Sequence, residues 1–335
     1  MNNKDFDKLE ERSVEVAGIE KPKLISEYLA QFCKTLGDGT QDYLGVRTGL
    51  TELDNATLGL DGLMVLGGAP GQGKTSLALQ LAYGACELGT PTIFYSLEMP
   101  RRAIFAKIFN RLARVKYSNI LLRGGQYLDD TEQKQEENNK DINFKGFLSK
   151  DDINNLKDAK NKIKLNDRFY LRARESEEAD IDFKNVEQEI NLVKAEHKAD
   201  KVLVIIDHLQ LFNPGEYKDQ IDKEGKLITN FKGISERTGA TIVLISQKNK
   251  AGLNSEGLQT IKGSVDIIYL ADVVMFLNNK NNKDDDLDDI VADFDEPKLE
   301  DINLMIQKNR YNAPCKIKLA FSGEYSTFIP RSKDR

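Results

Sequence analysis

Gly68-Ala-Pro-Gly-Gln-Gly-Lys-Thr75 satisfies the pattern G-x-x-x-x-G-K-[ST] and stands between an apolar run, Gly62 to Gly67, and a helical stretch, Lys74 to Leu88. Strand, glycine-rich loop and helix in that order are what a phosphate cradle requires. The glycines let the backbone curl so that N–H groups and a helix N-terminus meet phosphate oxygens. The cradle comprises Gly68, Ala69, Pro70, Gly71, Gln72, Gly73, Lys74, Thr75 and Ser76. Lys74 would bring charge to the β- and γ-phosphates and Thr75 would supply a ligand to magnesium. The ligands implied are ATP and Mg2+. A chance glycine-rich turn is the bland alternative, and the flanking strand and helix weigh against it.

On either side, strand and helix alternate. Leu77, Leu81 and Ala85 share one face of the helix after the loop, and Thr92 to Leu97 (TIFYSL) predicts the next strand. A helical stretch from Arg101 to Val115 follows, then a strand at Phe169 to Arg172 and a helix carrying Phe183, Val186, Ile190 and Val193. Strand Val202 to Ile206, helix 223–238 and strand 241–246 come next, and strands at Val273 to Leu277, Ile302 to Gln307 and Lys316 to Phe321 would extend the sheet. Near-continuous apolar strands alternating with helices predict an α/β fold, a mainly parallel sheet covered by helices on both faces.

Composition sets bounds on function. The chain has 335 residues, 40% hydrophobic and 30% charged, and no apolar run approaches the roughly 18 residues of a membrane span. The start, MNNKDFDKLEERSVEV, lacks the basic-then-apolar order of a secretory signal, which makes the cytoplasm the expected location. Cys33, Cys86 and Cys315 lie far apart and give neither a disulfide framework nor metal-ligand spacing; His197 and His208 do not complete one. The net charge of -6 sits awkwardly with a nucleic-acid partner, but ten carboxylates fall between Asp284 and Asp301 and six between Asp129 and Asp141. The remainder is more nearly balanced, which leaves room for a basic channel lining. Both acidic stretches predict polar insertions, near 126–147 and 278–301, in a domain spanning 45–330. Residues 1–44 form a tail with one amphipathic helix, where Leu24, Ile25, Tyr28, Leu29 and Phe32 recur at helical spacing. It could pack on its own domain or link to a neighbouring subunit.

Three further positions carry chemistry. Val202-Leu-Val-Ile-Ile-Asp207 is an apolar strand ending in a carboxylate, the arrangement that holds magnesium through water beside a phosphate loop. A turn or cap aspartate is its bland counterpart. Strand Thr92 to Leu97 adjoins the phosphate-loop strand in many such folds and ends at Glu98, placing a base near the γ-phosphate. Glu98 could equally be a helix N-terminal acid. Strand 241–246 delivers Ser246-Gln247 to the same edge, where Gln247 could sense the γ-phosphate, although polar residues after strands are common.

Taken together, these segments resemble the C-terminal motor domain of the DnaB family of replicative helicases, which belongs to the RecA-like P-loop ATPases. The resemblance runs from Gly45-Val-Arg-Thr-Gly-Leu-Thr-Glu-Leu-Asp54 through Tyr95-Ser-Leu-Glu-Met99, Ile206-Asp-His-Leu-Gln-Leu211 and Leu244-Ile-Ser-Gln-Lys-Asn249. It continues through Ala271-Asp-Val-Val-Met-Phe276, Gln307-Lys-Asn-Arg310 and Phe321-Ser-Gly-Glu-Tyr-Ser326. It implies that Glu98 is the water-activating base, that Asp207 serves the metal, and that Gln247 is the family's glutamine. It also implies that Lys308 and Arg310 reach into a neighbouring subunit's ATP site, so that the motor is a ring, a hexamer, of identical copies. Read alone, those two would be solvated surface charge.

The resemblance further implies ATP-driven movement on single-stranded DNA in replication, with a loader or primase-like partner. DNA contacts fall on Lys262, Gly263 and Ser264, with Lys248 and Lys250 nearby. The family's acidic residue is here Gly263 and its glycine Val265. The family's globular N-terminal domain has no counterpart in the roughly 40 residues before the motor. Two other readings remain open: a RecA/RadA-like recombination ATPase, which the Gly263 to Ile267 run keeps alive, and a non-motor loader switched by ATP.

Overall fold

The computed structural model describes residues 24–35, 43–124, 148–173, 181–247, 269–279 and 299–331. They fall into two units, Met1–Asp42 and Tyr43–Arg335. In the first lies α1, Ile25–Thr35, in the stretch whose spacing predicts an amphipathic helix. Glu27 in its first turn and Lys34 in its last complement the helix dipole.

The second unit runs α2 (Thr51–Thr57), β1 (Leu63–Gly68), α3 (Lys74–Glu87), β2 (Thr92–Ser96) and α4 (Arg101–Ala113). It continues with α5 (Lys150–Leu165), β3 (Phe169–Ala173), α6 (Phe183–His197), β4 (Leu203–Asp207), α7 (Gln220–Thr238) and β5 (Thr241–Gln247). Four strands complete it: β6 (Val273–Asn279), β7 (Leu299–Asn309), β8 (Cys315–Ser322) and β9 (Thr327–Pro330).

Side chains alternate across a strand, and β1 is apolar on both faces. Met64 and Leu66 pack with Leu77 and Leu81 of α3, while Leu63 and Val65 pack with Ile190 of α6 and Leu227 and Phe231 of α7. Each such side chain gains about 1.5–3 kcal/mol on full burial, so the strand is stable only between two helical layers. The described strands join one nine-stranded sheet in the order β3-β2-β4-β5-β1-β6-β7-β8-β9. From β3 to β6 the neighbours are parallel, and β7, β8 and β9 are added antiparallel. The mainly parallel sheet with helices on both faces is thus present.

The architecture departs from the sequence expectations in three places. β2 does not adjoin β1, because β4 and β5 lie between them. The polar stretch expected near 278–301 is shorter, since Asn278 and Asn279 complete β6 and Leu299–Asp301 begin β7; the rest of it, and the 126–147 stretch, lie outside the described residues. Helix α5 and strand β9 had no counterpart in the sequence reading. α5 opens on a capping box between Ser149 and Asp152, and its Leu156 and Ala159 pack with Ala106 and Ala113 of α4.

The opening segment from Gly45 to Asp54 is structural. The buried Asp54 carboxylate accepts from Thr48 N (2.9 Å), Thr48 Oγ1 (2.7 Å) and Gly49 N (3.1 Å), which fixes the turn into α2. Cys33, Cys86 and Cys315 are free. Among the described residues no helix is long and apolar enough to cross a membrane.

Candidate functional site

Because β2, β4, β5 and β1 are parallel, the loops after them open at one edge of the sheet, where ligands of open α/β sheets bind. The register aligns the ends: Gly68 lies opposite Gln247, and Ser96 opposite Asp207. Leu97 N donates to Asp207 O at 2.7 Å, carrying the pairing one residue past β2 and bringing Glu98 out beside Asp207. Glu98 therefore reaches the site although its strand is not the neighbour of β1.

The loop itself is held open by its own residues. Gly71 and Gly73 have φ of +81° and +82°, a region side chains rarely adopt. Gly73 is the N-cap of α3 and offers no side-chain cap, so the first N–H groups of the helix remain available to an anion. Lys74 Nζ donates to Gly68 O and Ala69 O, each at 2.9 Å, and Ala69 N donates to Gln72 Oε1 at 2.7 Å. Behind Gly73 stands the stacked pair Phe321 and Phe328, ring centroids 4.4 Å apart. Gln80 of α3 pins that wall, since its Nε2 donates to Phe328 O and its Oε1 accepts from Phe328 N, both at 2.8 Å.

Beside the loop the charges are buried. Asp207 is 2% exposed, and burial raises its pKa above the ordinary carboxylate range against a hydrogen bond from the Thr75 side chain. Among the described residues its Oδ2 has no hydrogen-bond partner. A buried carboxylate with one unfilled oxygen next to a hydroxyl is a hard-oxygen donor set that suits Mg2+, so the residues present fit that ion. Burial also lowers the pKa of Lys74, with Asp207 and Glu98 opposing.

Two residues at this edge were not singled out for it by sequence. His208 Nδ1 lies 2.9 Å from Glu98 Oε2, and ligand atoms of Glu98, Asp207 and His208 lie within 4.8 Å of one another. Lys107 of α4 places Nζ 3.4 Å from Ser76 Oγ, with its pKa lowered by burial and supported by Asp207. The helical spacing of Ile104 and Ile108 is the one signal that turns Lys107 toward α3. Gln210 Nε2 donates to Ser246 Oγ at 2.8 Å, which ties the segment after β4 to the end of β5.

Lys308 and Arg310 lie elsewhere. β7 is antiparallel, with Lys308 opposite Val274, so its C-terminal end lies at the start of β6 and β1. Arg310 Nη1 is 2.7 Å from Asp272 Oδ1, and Asp272 N donates to Leu63 O at 2.7 Å. Five strand steps separate Leu63 from Gly68, roughly 16 Å, so this basic pair lies at the far end of the sheet from its own phosphate loop. Lys248, Lys250, Lys262, Gly263 and Ser264, expected to meet DNA, lie outside the described residues.

Comparison with known proteins identifies the family. The family model described as DnaB-like helicase C terminal domain matches residues 45–330. Among curated relatives, the replicative DNA helicase DnaB of Haemophilus influenzae is 26% identical over 87% of this chain and 56% of its own length. The protein of the same name from Leifsonia xyli is 27% identical over 85% of this chain and 55% of its own. The chain thus spans about half the length of these relatives. Of solved structures, an isolated ATPase domain superposes with a TM-score of 0.72 at 20% identity, covering 93% of this chain and all of that one. A DnaB-like replicative helicase studied with primase gives 0.72 at 19%, covering 98% of this chain and 71% of that one. These likenesses establish the fold as that of RecA-like ATPase domains.

Proposed function

Since the chain belongs to the DnaB-like helicase C-terminal domain family, we propose that it hydrolyses ATP and uses the energy to move along single-stranded DNA during replication. It works in the cytoplasm as a ring-shaped homo-oligomer, a hexamer. The observation that carries this reading is the split of the machinery between two ends of one sheet. Phosphate loop, Asp207, Glu98 and Gln247 share one edge, whereas Lys308 and Arg310 sit at the other. A subunit cannot bring its own Arg310 to its own loop, so each site is completed by a neighbour.

Within that site the N–H groups from Gly68 to Ser76 and Lys74 Nζ hold the phosphates, and Lys74 must exchange its contacts with Gly68 O and Ala69 O for them. Lys107, beside Ser76, adds a second cation. Thr75 and Asp207 would hold Mg2+, which supplies charge neutralisation at the phosphate oxygens when bound. Glu98 accepts the proton of the attacking water, and His208 keeps one of its oxygens occupied so that the other faces the reaction. Gln247, opposite Gly68, senses the γ-phosphate, and Lys308 and Arg310 of the adjacent copy stabilise the charge that develops on it. Lys248, Lys250, Lys262, Gly263 and Ser264, which follow Gln247 in the sequence, are the residues proposed to meet the DNA strand. A loader or primase-like protein is the expected further partner; the DnaB-like structure solved with primase supports that expectation.

The test is the ATPase rate with and without single-stranded DNA, the mass by light scattering with nucleotide, and strand displacement on forked DNA. Stimulation by DNA in a hexamer that separates the fork supports the motor. Assembly on DNA without displacement favours a recombination ATPase, and ATP-dependent assembly with no stimulation favours a loader; either result overturns the proposal.

A further inference from the structure

At the far end of the sheet, one carboxylate organises four elements. Asp272, 1% exposed, immediately precedes β6. Its Oδ2 accepts from Leu63 N at 2.8 Å and from Lys232 Nζ of α7 at 2.8 Å, and its Oδ1 faces Arg310 Nη1 at 2.7 Å. Its backbone is engaged as well, with Arg310 N donating to Asp272 O at 3.0 Å. A Cβ on Gly62 would collide with Asp272 Oδ2, so the backbone before β1 is shaped around this side chain.

The arrangement has two consequences for Arg310. With Oδ2 filled by Leu63 and Lys232, only Oδ1 is left for the guanidinium, so the two-nitrogen fork that arginine and carboxylate usually form is not available. Asp272 therefore meets the guanidinium at Nη1, and the arginine side chain stays 52% exposed, open to an outside anion. Second, the one buried carboxylate faces two cations, Lys232 and Arg310, and the further carboxylate near Lys232, Glu236 at 3.5 Å, is largely exposed and so screens weakly. The guanidinium is steered without being neutralised and retains its attraction for an outside anion.

We infer that Asp272 is a positioning residue for the reaction. Asp272 fixes Arg310 on the protein surface, through its carboxylate Oδ1 against the guanidinium and its backbone carbonyl, which accepts from Arg310 N, in the pose in which the arginine meets the terminal phosphate bound by the next subunit. Lys232 is the counter-charge that prevents the grip from becoming a closed ion pair. This rests on the reading that Arg310 acts in trans, and the experiment separates the two.

Asp272→Asn preserves the shape and removes the charge. Alone, it should reduce kcat about a hundredfold, the loss expected when a transition-state group moves by about an ångström, with nucleotide affinity unchanged because its own phosphate loop is intact. Mixed with Glu98→Gln subunits it should regain turnover, since the Asp272→Asn copy contributes a sound loop and the Glu98→Gln copy a sound arginine. Mixed with Arg310→Ala subunits it should regain none, because both carry the same fault.

Arg310→Ala mixed with Glu98→Gln is the control. No rescue there overturns the trans reading itself, whereas rescue there but not for Asp272→Asn overturns the role given to Asp272. Unchanged kcat in Asp272→Asn alone overturns it too. Should Asp272→Asn fail to assemble by light scattering, Asp272→Glu, which keeps the charge but displaces the guanidinium by one methylene, enters the same mixtures with the same expected outcomes.

Discussion

His208 Nδ1 stands 2.9 Å from Glu98 Oε2, the histidine side chain 10% exposed and the glutamate 51%. Glu98 is a carboxylate at a loop start, with three rotatable bonds and half its surface in water, and such a group adopts many poses. A carboxylate can only accept, so the imidazole N–H donates. Because His208 follows Asp207 directly, the residue that restrains Glu98 is on the same strand end as the carboxylate proposed to serve the metal.

Removing the donor should therefore cost turnover and not binding. His208→Leu is expected to lower kcat roughly tenfold, a part of the 10²–10⁴ that a general base contributes, with KM for ATP unchanged. His208→Tyr, which keeps a donor, should lose less. In a Glu98→Gln background the His208→Leu change should add nothing; a further loss there, measured by single-turnover hydrolysis, would show that His208 acts by some route other than Glu98.

The glycines of the loop are not equivalent. At Gly71 a Cβ would meet nothing within 4 Å among the described residues, whereas at Gly73 it would lie 2.9 Å from Phe328 and 3.0 Å from Phe321. Gly71→Ala should cost about 1–2 kcal/mol of left-handed backbone strain and little else. Gly73→Ala adds the collision with the aromatic wall, so both Tm and nucleotide affinity should fall further. Equal Tm values for the two variants would mean that the Phe321–Phe328 wall yields.

That wall marks the limit of what the sequence made legible. The loop, its strand and its helix are local: glycine spacing, an apolar run and a 3.6-residue repeat all lie within some 25 residues, and Asp207 is announced by the strand that ends in it. Glu98 does not sit beside the phosphate-loop strand, since two strands lie between β2 and β1, yet its position at a strand's carboxyl end brings it to the same edge. Phe328 against Gly73, Lys107 against Ser76 and Asp272 against Arg310 depend on contacts across tens to hundreds of residues, which no linear spacing encodes. Helix α5 is illegible for another reason: KDDINNLKDAKNKIKL buries only Leu156 and Ala159, so its apolar stripe is too thin to set a 3.6-residue period. Its start, Ser149 with Asp152 three residues on, was the available signal.

Asp207 carries a cost in the nucleotide-free protein. Burial raises its pKa in the fold, so the folded state binds that proton more tightly than the unfolded chain does. At neutral pH the charged form is therefore disfavoured on folding, and the penalty fades as pH falls through the folded pKa and the group protonates. Asp207→Asn should raise the Tm of the metal-free protein at pH 7, by about 2–4 °C per kcal/mol for a domain of this order. The gain should shrink toward acid pH, while magnesium-dependent turnover is lost. Calorimetry across pH checks it, and a lower Tm at pH 7 would mean that the Thr75 hydrogen bond outweighs burial.

Lys107 offers the sharpest separation of a functional cation from a structural one. Its Nζ lies 3.4 Å from Ser76 Oγ, and its charge support is Asp207, which does not prevent burial from lowering its pKa. A cation that is partly desolvated and incompletely compensated destabilises the free protein and is repaid when an anion arrives. Lys107→Met keeps an apolar stem of similar length and removes the charge, together with the ammonium's approach to the Tyr117 ring, 5.8 Å from its centroid. It should therefore leave the Tm of the free protein equal or higher. Its ATP affinity should fall roughly tenfold, the equivalent of one charge-assisted contact of about 1.4 kcal/mol. Nucleotide should also raise its Tm less than it raises that of the wild type. If Lys107→Met instead lowers the Tm and leaves the nucleotide-induced shift unchanged, the lysine is packing between two helices and the phosphate site ends at Lys74.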